Sequence, residues 1–136
     1  MNTPRGSFHT ENIKQKIIEF GRSLNLETLS AGEGNILIRK PSQSNNPNAP
    51  WICLQAHIDM VCVKEQDCPI NLLNDPLEPI IVEDSTKGSL LRAKGTSLGA
   101  DNGVGVMMLL SLLEDKTLPH GPLEFLFTTD EVCFFF

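Results

Sequence analysis

The spacing of apolar residues predicts an amphipathic helix near the start of the chain. Between Thr10 and Leu24, apolar side chains recur at Ile13, Ile17, Phe20 and Leu24 itself. Residues that recur every three or four positions lie on one face of a helix. The charged residues between them fall on the other face. We therefore expect a helix over this segment, with one face buried.

Three further segments have the pattern of β-strands. They are Asn35–Lys40, Trp51–Ala56 and Leu123–Phe127. The last two are short, nearly continuous apolar runs, which are typical of strands covered on both faces of an α/β sheet. A proline-rich loop over residues 41–50 separates the first two.

Later segments complete the predicted element order. Residues Ile80–Val82 and Ser89–Ala93 could pair as a hairpin, and Gly95–Gly103 is a glycine-rich turn. The segment Val104–Glu114 is so strongly apolar that we expect a buried helix. Because strands and helices alternate, the fold class is α/β with a largely buried sheet.

Composition narrows the class of protein. The 136 residues carry a net charge of −6, and 40% of them are hydrophobic, which suits one globular domain. An acidic chain is a poor partner for nucleic acid. The longest apolar run, Val104–Leu113, is half of what a membrane span needs, and no secretory signal is visible. We expect a cytoplasmic protein with reduced cysteines, no nucleic-acid partner and no membrane partner.

Three polar clusters could carry chemistry. They are His57-x-Asp59, the glycine-rich turn that holds Asp101, and the pair Asp130-Glu131. The first and last follow predicted strands, and the second precedes a predicted helix. Binding sites of open α/β sheets lie outside the carboxyl ends of the strands. All three clusters could therefore meet at one edge of the sheet.

Each cluster alone has two interpretations. His57 suits zinc-like metals and Asp59 could orient its ring, but both could equally lie in a polar loop. Asp101, between glycines, could bridge two cations, or it or Asn102 could cap the following helix. Glu131 could act as a general base, or simply end a strand in solvent.

Taken together, four ordered segments resemble the aminoacyl-histidine dipeptidases, also called Xaa-His dipeptidases or carnosinase-like enzymes, of the di-metal exopeptidase superfamily. The resemblance runs from about Pro4 to Glu131. The segments that carry it are Gly34–Pro41, Leu54–Val61, Gly95–Gly105 and His120–Glu124.

The resemblance implies a role for each matching residue. His57 would ligate one of two divalent metal ions, zinc foremost, with manganese or cobalt as alternatives. Asp59 would orient His57, and Asp101 would bridge the two metals, with a cis peptide bond to Asn102. Glu131 would be the general base. The implied activity is metal-dependent hydrolysis of Xaa-His dipeptides, and the implied fold is part of a mixed-sheet, helix-flanked catalytic domain, incomplete at both ends.

One departure from the family pattern follows Glu131. Relatives have a second Glu there and a nearby Gly, whereas this chain continues with Val132, Cys133 and Phe134. Relatives then continue for several hundred residues, with further ligands and a lid domain through which they form homodimers. We therefore expect residues 1–131 to be a partial metallopeptidase catalytic domain that is inactive alone. We expect residues 132–136 to be a tail outside the family, such as a changed reading frame would produce. The alternative is a non-catalytic remnant that binds peptide or a partner chain.

Overall fold

The computed structural model describes residues 3–43, 46 and 48–131. The predicted tail of residues 132–136 lies outside them. The elements in chain order are α1 (Glu11–Ser23), β1 (Glu27–Ala31), a 3₁₀ turn (Gly32–Gly34), β2 (Asn35–Lys40), β3 (Ile52–His57), β4 (Pro79–Asp84), β5 (Gly88–Ala93), α2 (Ala100–Glu114) and β6 (Leu123–Thr128).

Four of the strands form a mixed sheet in the order β1-β2-β6-β3. The pairs β1/β2 and β2/β6 are antiparallel, and β6/β3 is parallel. The parallel register sets His57 opposite Thr128. Because parallel strands end at the same edge of a sheet, this register brings two of the polar clusters together. The mixed α/β sheet confirms the predicted fold class.

The core lies on one face of this sheet. Helix α1 packs against β1 and β2, and α2 packs against β3. Alternate residues of β2 and β6 are buried, as the period of two in a strand requires. The most deeply buried apolar side chains are Ile17, Ile36, Ile38, Ala56, Ile58, Phe125 and Phe127.

Strand β1 was not predicted. Its sequence, Glu-Thr-Leu-Ser-Ala, is mostly polar, and Glu27, Leu29 and the rest of the strand are only partly buried or exposed. Backbone pairing with β2, from Glu27↔Arg39 to Ala31↔Asn35, defines it. A strand held by its neighbour needs no apolar pattern of its own.

The prediction that β3 and β6 are each covered on both faces is wrong. In β6 only alternate residues are buried. In β3, Ile52, Cys53 and Gln55 are exposed, and burial is complete only at Ala56 and His57. Among the described residues β3 is the edge strand beside β6, so the cover that the apolar run predicts is lacking over its first half.

The prediction that α2 is buried holds for one face only. Val106, Leu109 and Leu113 are buried against the sheet, whereas Val104, Met107 and Met108 are 58–63% exposed. A helix on a sheet contacts it along one stripe, so an all-apolar helix keeps an exposed side unless another element covers it. Neither of the described helices has the length and apolar content that a membrane crossing needs.

The predicted hairpin is present as β4 and β5, which form a separate two-stranded sheet. Asp84 closes its turn, because Oδ1 accepts the backbone N–H groups of Thr86 and Lys87. Hydrogen bonds to the charged carboxylate, those of the Thr86 side chain and backbone first, hold the pKa of Asp84 below its ordinary value.

Candidate functional site

The carboxyl ends of β3 and β6 form the floor of the candidate site. The N–H of Ile58 donates to the carbonyl of Thr128 at 2.8 Å, which extends the parallel pairing past His57. The chain then presents Asp59 beside the segment that follows β6. The N–H of Glu131 donates to Asp59 Oδ1 at 3.3 Å. The first and third polar clusters therefore meet, as the sequence predicts.

His57 and Asp59 form a buried pair at this edge. His57 is 6% exposed and Asp59 is wholly buried. Nδ1 of the imidazole lies 3.1 Å from Asp59 Oδ1 and 3.2 Å from the Asp59 carbonyl oxygen. With Nδ1 held inward, Nε2 faces out of the core. This is the orientation in which a carboxylate that does not itself touch a metal presents a histidine to one.

Asp101 joins the pair from the start of α2. Its Oδ1 lies 3.1 Å from His57 Nε2, and its side chain is 94% exposed. The bond between Asp101 and Asn102 is cis, as the resemblance implies. Both residues have non-helical dihedral angles although they lie within the first turn of α2.

The capping interpretation of this turn holds for the neighbouring residue. Asn102 Oδ1 accepts the N–H of Gly105 at 3.1 Å, which is the bond that an N-cap side chain makes three residues into a helix. Since Asn102 caps the helix, the carboxylate of Asp101 is left to face His57.

Glu131 lies at the exposed rim of the site. Gln55 Nε2, which donates to Thr128 Oγ1 at 2.7 Å, lies 3.4 Å from Glu131 Oε2. Asp130 has a left-handed backbone, with φ of 58°, and its Oδ1 accepts the N–H of Phe8 at 2.7 Å. The backbone of Glu131 therefore contacts Asp59, while its carboxylate lies beside Gln55 and is open to solvent.

The donor set fits part of a divalent metal site. Zinc bonds of about 2.0–2.2 Å place two tetrahedral ligand atoms about 3.3 Å apart. The separation of His57 Nε2 and Asp101 Oδ1, 3.1 Å, is close to that value. Over residues 3–43, 46 and 48–131, however, no three His, Cys, Asp or Glu side chains form a group that could hold an ion. The described residues therefore supply two donors.

Arg5 and Ser7 belong to the site, and the sequence analysis gave them no role. Arg5 Nη1 donates to the carbonyls of Ile58 and Asp59 at 2.9 and 3.1 Å, and Nη2 donates to the carbonyl of Gly99. Ser7 Oγ donates to Asp59 Oδ2 at 2.7 Å. Burial lowers the pKa of Arg5, and the nearby charge of Asp59 partly opposes this shift.

The glycines on either side of Asp101 are the sequence feature that relates to Arg5. A Cβ atom at Gly99 or Gly103 would lie 2.6 or 2.7 Å from Arg5 Nη2. Both glycines therefore leave room for the guanidinium, in addition to the turn that the sequence predicts. Gly99 also has φ of 70°, which favours glycine.

The comparisons with known proteins confirm the resemblance. The chain is 38% identical over 128 residues to the cytosol non-specific dipeptidase of Escherichia coli K12. Its structure matches that of the aminoacylhistidine dipeptidase from Vibrio alginolyticus, with a TM-score of 0.87, 38% identity and cover of 96% of this chain. A tripeptidase from Staphylococcus aureus shares the fold, with a TM-score of 0.70 and 22% identity. No protein-family model matches the chain.

The match covers nearly all of this chain and little of its relatives. The chain spans 25% of the length of the Escherichia coli protein, 26% of the Vibrio protein and 34% of the Staphylococcus protein. The matched region thus corresponds to about a quarter to a third of a complete peptidase.

Proposed function

We propose that this chain is a catalytic-domain segment of a metal-dependent dipeptidase, and that His57 and Asp101 supply two ligands of its metal centre. The observation that carries the proposal is the line of three side chains. Asp59 holds Nδ1 of His57, and the opposite ring nitrogen meets Asp101 Oδ1 at 3.1 Å. The arrangement places an imidazole between a buried and an exposed carboxylate. It is more typical of a site for a divalent cation than of an ion pair that only stabilises the fold.

The residues divide the chemistry between them. A divalent metal, zinc foremost with manganese or cobalt as alternatives, supplies Lewis-acid polarisation of a peptide carbonyl. Asp59 fixes the tautomer and the direction of His57. Asp101 would hold the metal centre through its exposed carboxylate. Glu131 takes a proton at its carboxylate from the attacking water, and its exposed position keeps it within reach of substrate.

The substrate class that we propose is a dipeptide. One relative is named as a non-specific dipeptidase of the cytosol and the other as an aminoacylhistidine dipeptidase. We include Xaa-His dipeptides among the substrates and place the protein in the cytoplasm on this similarity. Homodimerisation, as in relatives, belongs to the same proposal.

The chain by itself is proposed to be inactive. Two donors from His57 and Asp101 do not hold two ions, because a zinc site needs three or four protein ligands. We expect no hydrolysis of β-Ala-His by the purified chain with added Zn²⁺ or Mn²⁺. Turnover near that of a complete relative would contradict this part of the proposal.

A chimeric enzyme tests the function. Residues 3–131 would replace the matching segment of the Escherichia coli dipeptidase. We expect metal-dependent dipeptide hydrolysis that Glu131→Gln lowers by about 10²–10⁴-fold, the usual contribution of a general base. Glu124→Gln, on β6 and paired with Arg39, is the matched control. A chimera whose activity survives Glu131→Gln or chelation of the metal would overturn the proposal.

The second candidate function is a non-catalytic chain that pairs with a partner. The observation that favours it is the exposed apolar stripe of α2, formed by Val104, Met107 and Met108. Contiguous exposed apolar surface commonly marks a protein–protein contact. A chimera that is inactive although it folds and binds Zn²⁺ would favour this function over the first.

A further inference from the structure

Residues 5–8, here called the N-terminal strap, contact all three polar clusters. Arg5 and Ser7 reach the His57-x-Asp59 cluster, Arg5 also reaches the turn before Asp101, and the N–H of Phe8 reaches Asp130. These contacts link segments that lie 52 to 122 residues apart in the sequence. The strap therefore contacts each of the three clusters, in addition to the direct contacts between them.

Arg5 connects two loops through one planar group. Its Nη1 donates to two carbonyls at the end of β3, those of Ile58 and Asp59, and its Nη2 donates to that of Gly99. The donors of a guanidinium are fixed in a rigid fork. The guanidinium therefore bridges the loop after His57 and the turn before Asp101, a second link between these segments beside the Ser97 hydroxyl, which donates to the Val61 carbonyl.

The turn before Asp101 is shaped around this contact. The carbonyl of Gly99 also accepts the N–H of Gly103 at 3.1 Å, so one oxygen joins Arg5 to the first turn of α2. The side chain of Asp101 is 94% exposed, so side-chain packing does little to fix its position. Its place opposite His57 depends on the backbone that Arg5 holds.

The rest of the strap acts on the carboxylates. The hydroxyl of Ser7 donates to Asp59 Oδ2 at 2.7 Å, which leaves Oδ1 for His57 and for the N–H of Glu131. The strap backbone is itself anchored, because the N–H of Met60 donates to the carbonyl of Arg5 at 3.0 Å.

We propose that the N-terminal strap positions the metal ligands, with Arg5 setting the separation of Asp101 from His57 and Ser7 orienting Asp59. Neither residue touches metal or substrate in this scheme, and both are positioning residues. The inference rests on the proposed function for its metal, but the contact between His57 and Asp101 does not require a metal to be measured.

The test compares Arg5→Met and Arg5→Lys with Arg39→Met in the full chain. Arg39 donates to two carboxylates on the sheet, Glu124 and Glu27, and so controls for the loss of a bonded guanidinium. Arg5→Lys keeps the positive charge but removes the planar guanidinium. If Arg5→Met does not fold, Arg5→Lys alone is compared with the control. Ser7→Ala has its own control in Ser23→Ala, whose hydroxyl donates to a helix carbonyl.

Two readouts separate this proposal from the proposed function. In metal-free chain, NMR should show loss of the cross-relaxation between the His57 ring and the Asp101 methylene in both Arg5 variants, with the core resonances unchanged. In a chelator competition with the chimeric enzyme, which supplies the remaining ligands, Zn²⁺ affinity should fall about 10- to 100-fold in the Arg5 variants and in Ser7→Ala, the range found when supports of metal ligands are removed. Both control variants should match the wild type.

Either of two results would overturn the inference: the His57–Asp101 contact persists in both Arg5 variants, or their Zn²⁺ affinity stays within twofold of wild type. A chimeric enzyme with the wild-type segment that binds no Zn²⁺ would count against the proposed function instead. In that case the NMR measurement of the His57–Asp101 contact in metal-free chain tests the role of the strap by itself.

Discussion

The carboxylate of Asp59 lies 3.1 Å from Nδ1 of His57, and hardly any of either side chain reaches solvent. Burial of a carboxylate is costly unless its oxygens are satisfied. Here the Ser7 hydroxyl and the Glu131 N–H complete the set of donors around it. The buried Asp59 carboxylate in turn fixes the direction of the His57 imidazole.

Replacing Asp59 by Asn should weaken metal binding. The amide keeps the shape but removes the charge that holds His57, so we expect Zn²⁺ affinity to fall about 10- to 100-fold. Isothermal titration of the chimeric enzyme with Zn²⁺ measures it. Asp67→Asn, on an exposed loop, is the control. Equal affinities in the Asp59 and Asp67 variants would show that Asp59 does not act on the ligand.

Gly21→Ala should destabilise the fold, although alanine is the better helix former. A Cβ atom there would lie 2.5 Å from Thr28 Oγ1 and 2.8 Å from Ile38 Cδ1. Overpacking of this kind costs about 1–3 kcal/mol, which outweighs a helix-propensity gain of about 1 kcal/mol. Urea denaturation gives the free energy of unfolding. Gly32→Ala, with open space around its Cβ position, should leave stability unchanged, and a stabilised Gly21 variant would refute the predicted clash.

Lys40→Met should loosen the end of α2. The buried ammonium donates to the carbonyls of Leu112 and Asp115, which the last turn of a helix leaves free, and its charge suits the negative end of the helix. We expect a loss of about 1–3 kcal/mol. Lys94→Met, at an exposed ion pair with Glu78, should change the free energy of unfolding by less than about 0.5 kcal/mol. Similar losses in both variants would contradict the cap.

Asp115 should make stability depend on acid. Its carboxylate accepts the N–H and hydroxyl of Thr117 and the N–H of Leu118, and these bonds hold its pKa below the ordinary value. Because the folded pKa is below the unfolded one of about 3.9, its contribution is complete above that pH and is lost as the pH falls through the folded pKa.

We therefore expect wild type to be more stable than Asp115→Ala at neutral pH. The gap should close as the pH falls below about 4. Urea midpoints at a series of pH values measure this gap. A gap that stays constant down to the lowest pH would rule out the carboxylate as its source.

Periodic patterns made most of the fold predictable. The apolar residues of α1, β2 and β6 mark where these elements lie, and those of α1 also have the helical spacing. The continuous apolar run of β6 did not reveal that only alternate residues are buried. Strand β1 has no such pattern, because pairing with β2 alone defines it. The predicted burial of β3 and α2 was too high, because an apolar run does not show which of its faces will pack against another element.

The candidate site was predictable only where its residues end strands or lie between glycines. His57, Asp59, Asp101 and Glu131 have these positions, and the structure brings them to one edge of the sheet. Arg5, Ser7 and Gln55 act through contacts between distant segments, such as Arg5 with Ile58, 53 residues away. No local pattern marks such contacts, apart from the two glycines that make room for Arg5.

The most direct test of the account is Zn²⁺ binding by the chimeric enzyme and by its His57 and Asp101 variants. X-ray absorption of the Zn²⁺-loaded chimera should show imidazole nitrogen and carboxylate oxygen among the zinc ligands, at about 2.0–2.2 Å. His57→Gln and Asp101→Asn should each remove one of these ligands and lower the affinity at least tenfold. His120→Gln, whose ring contacts the Gly121 carbonyl, should change neither. Zn²⁺ affinity and ligand shell that are the same in wild type, His57→Gln and Asp101→Asn would contradict the metal centre proposed here.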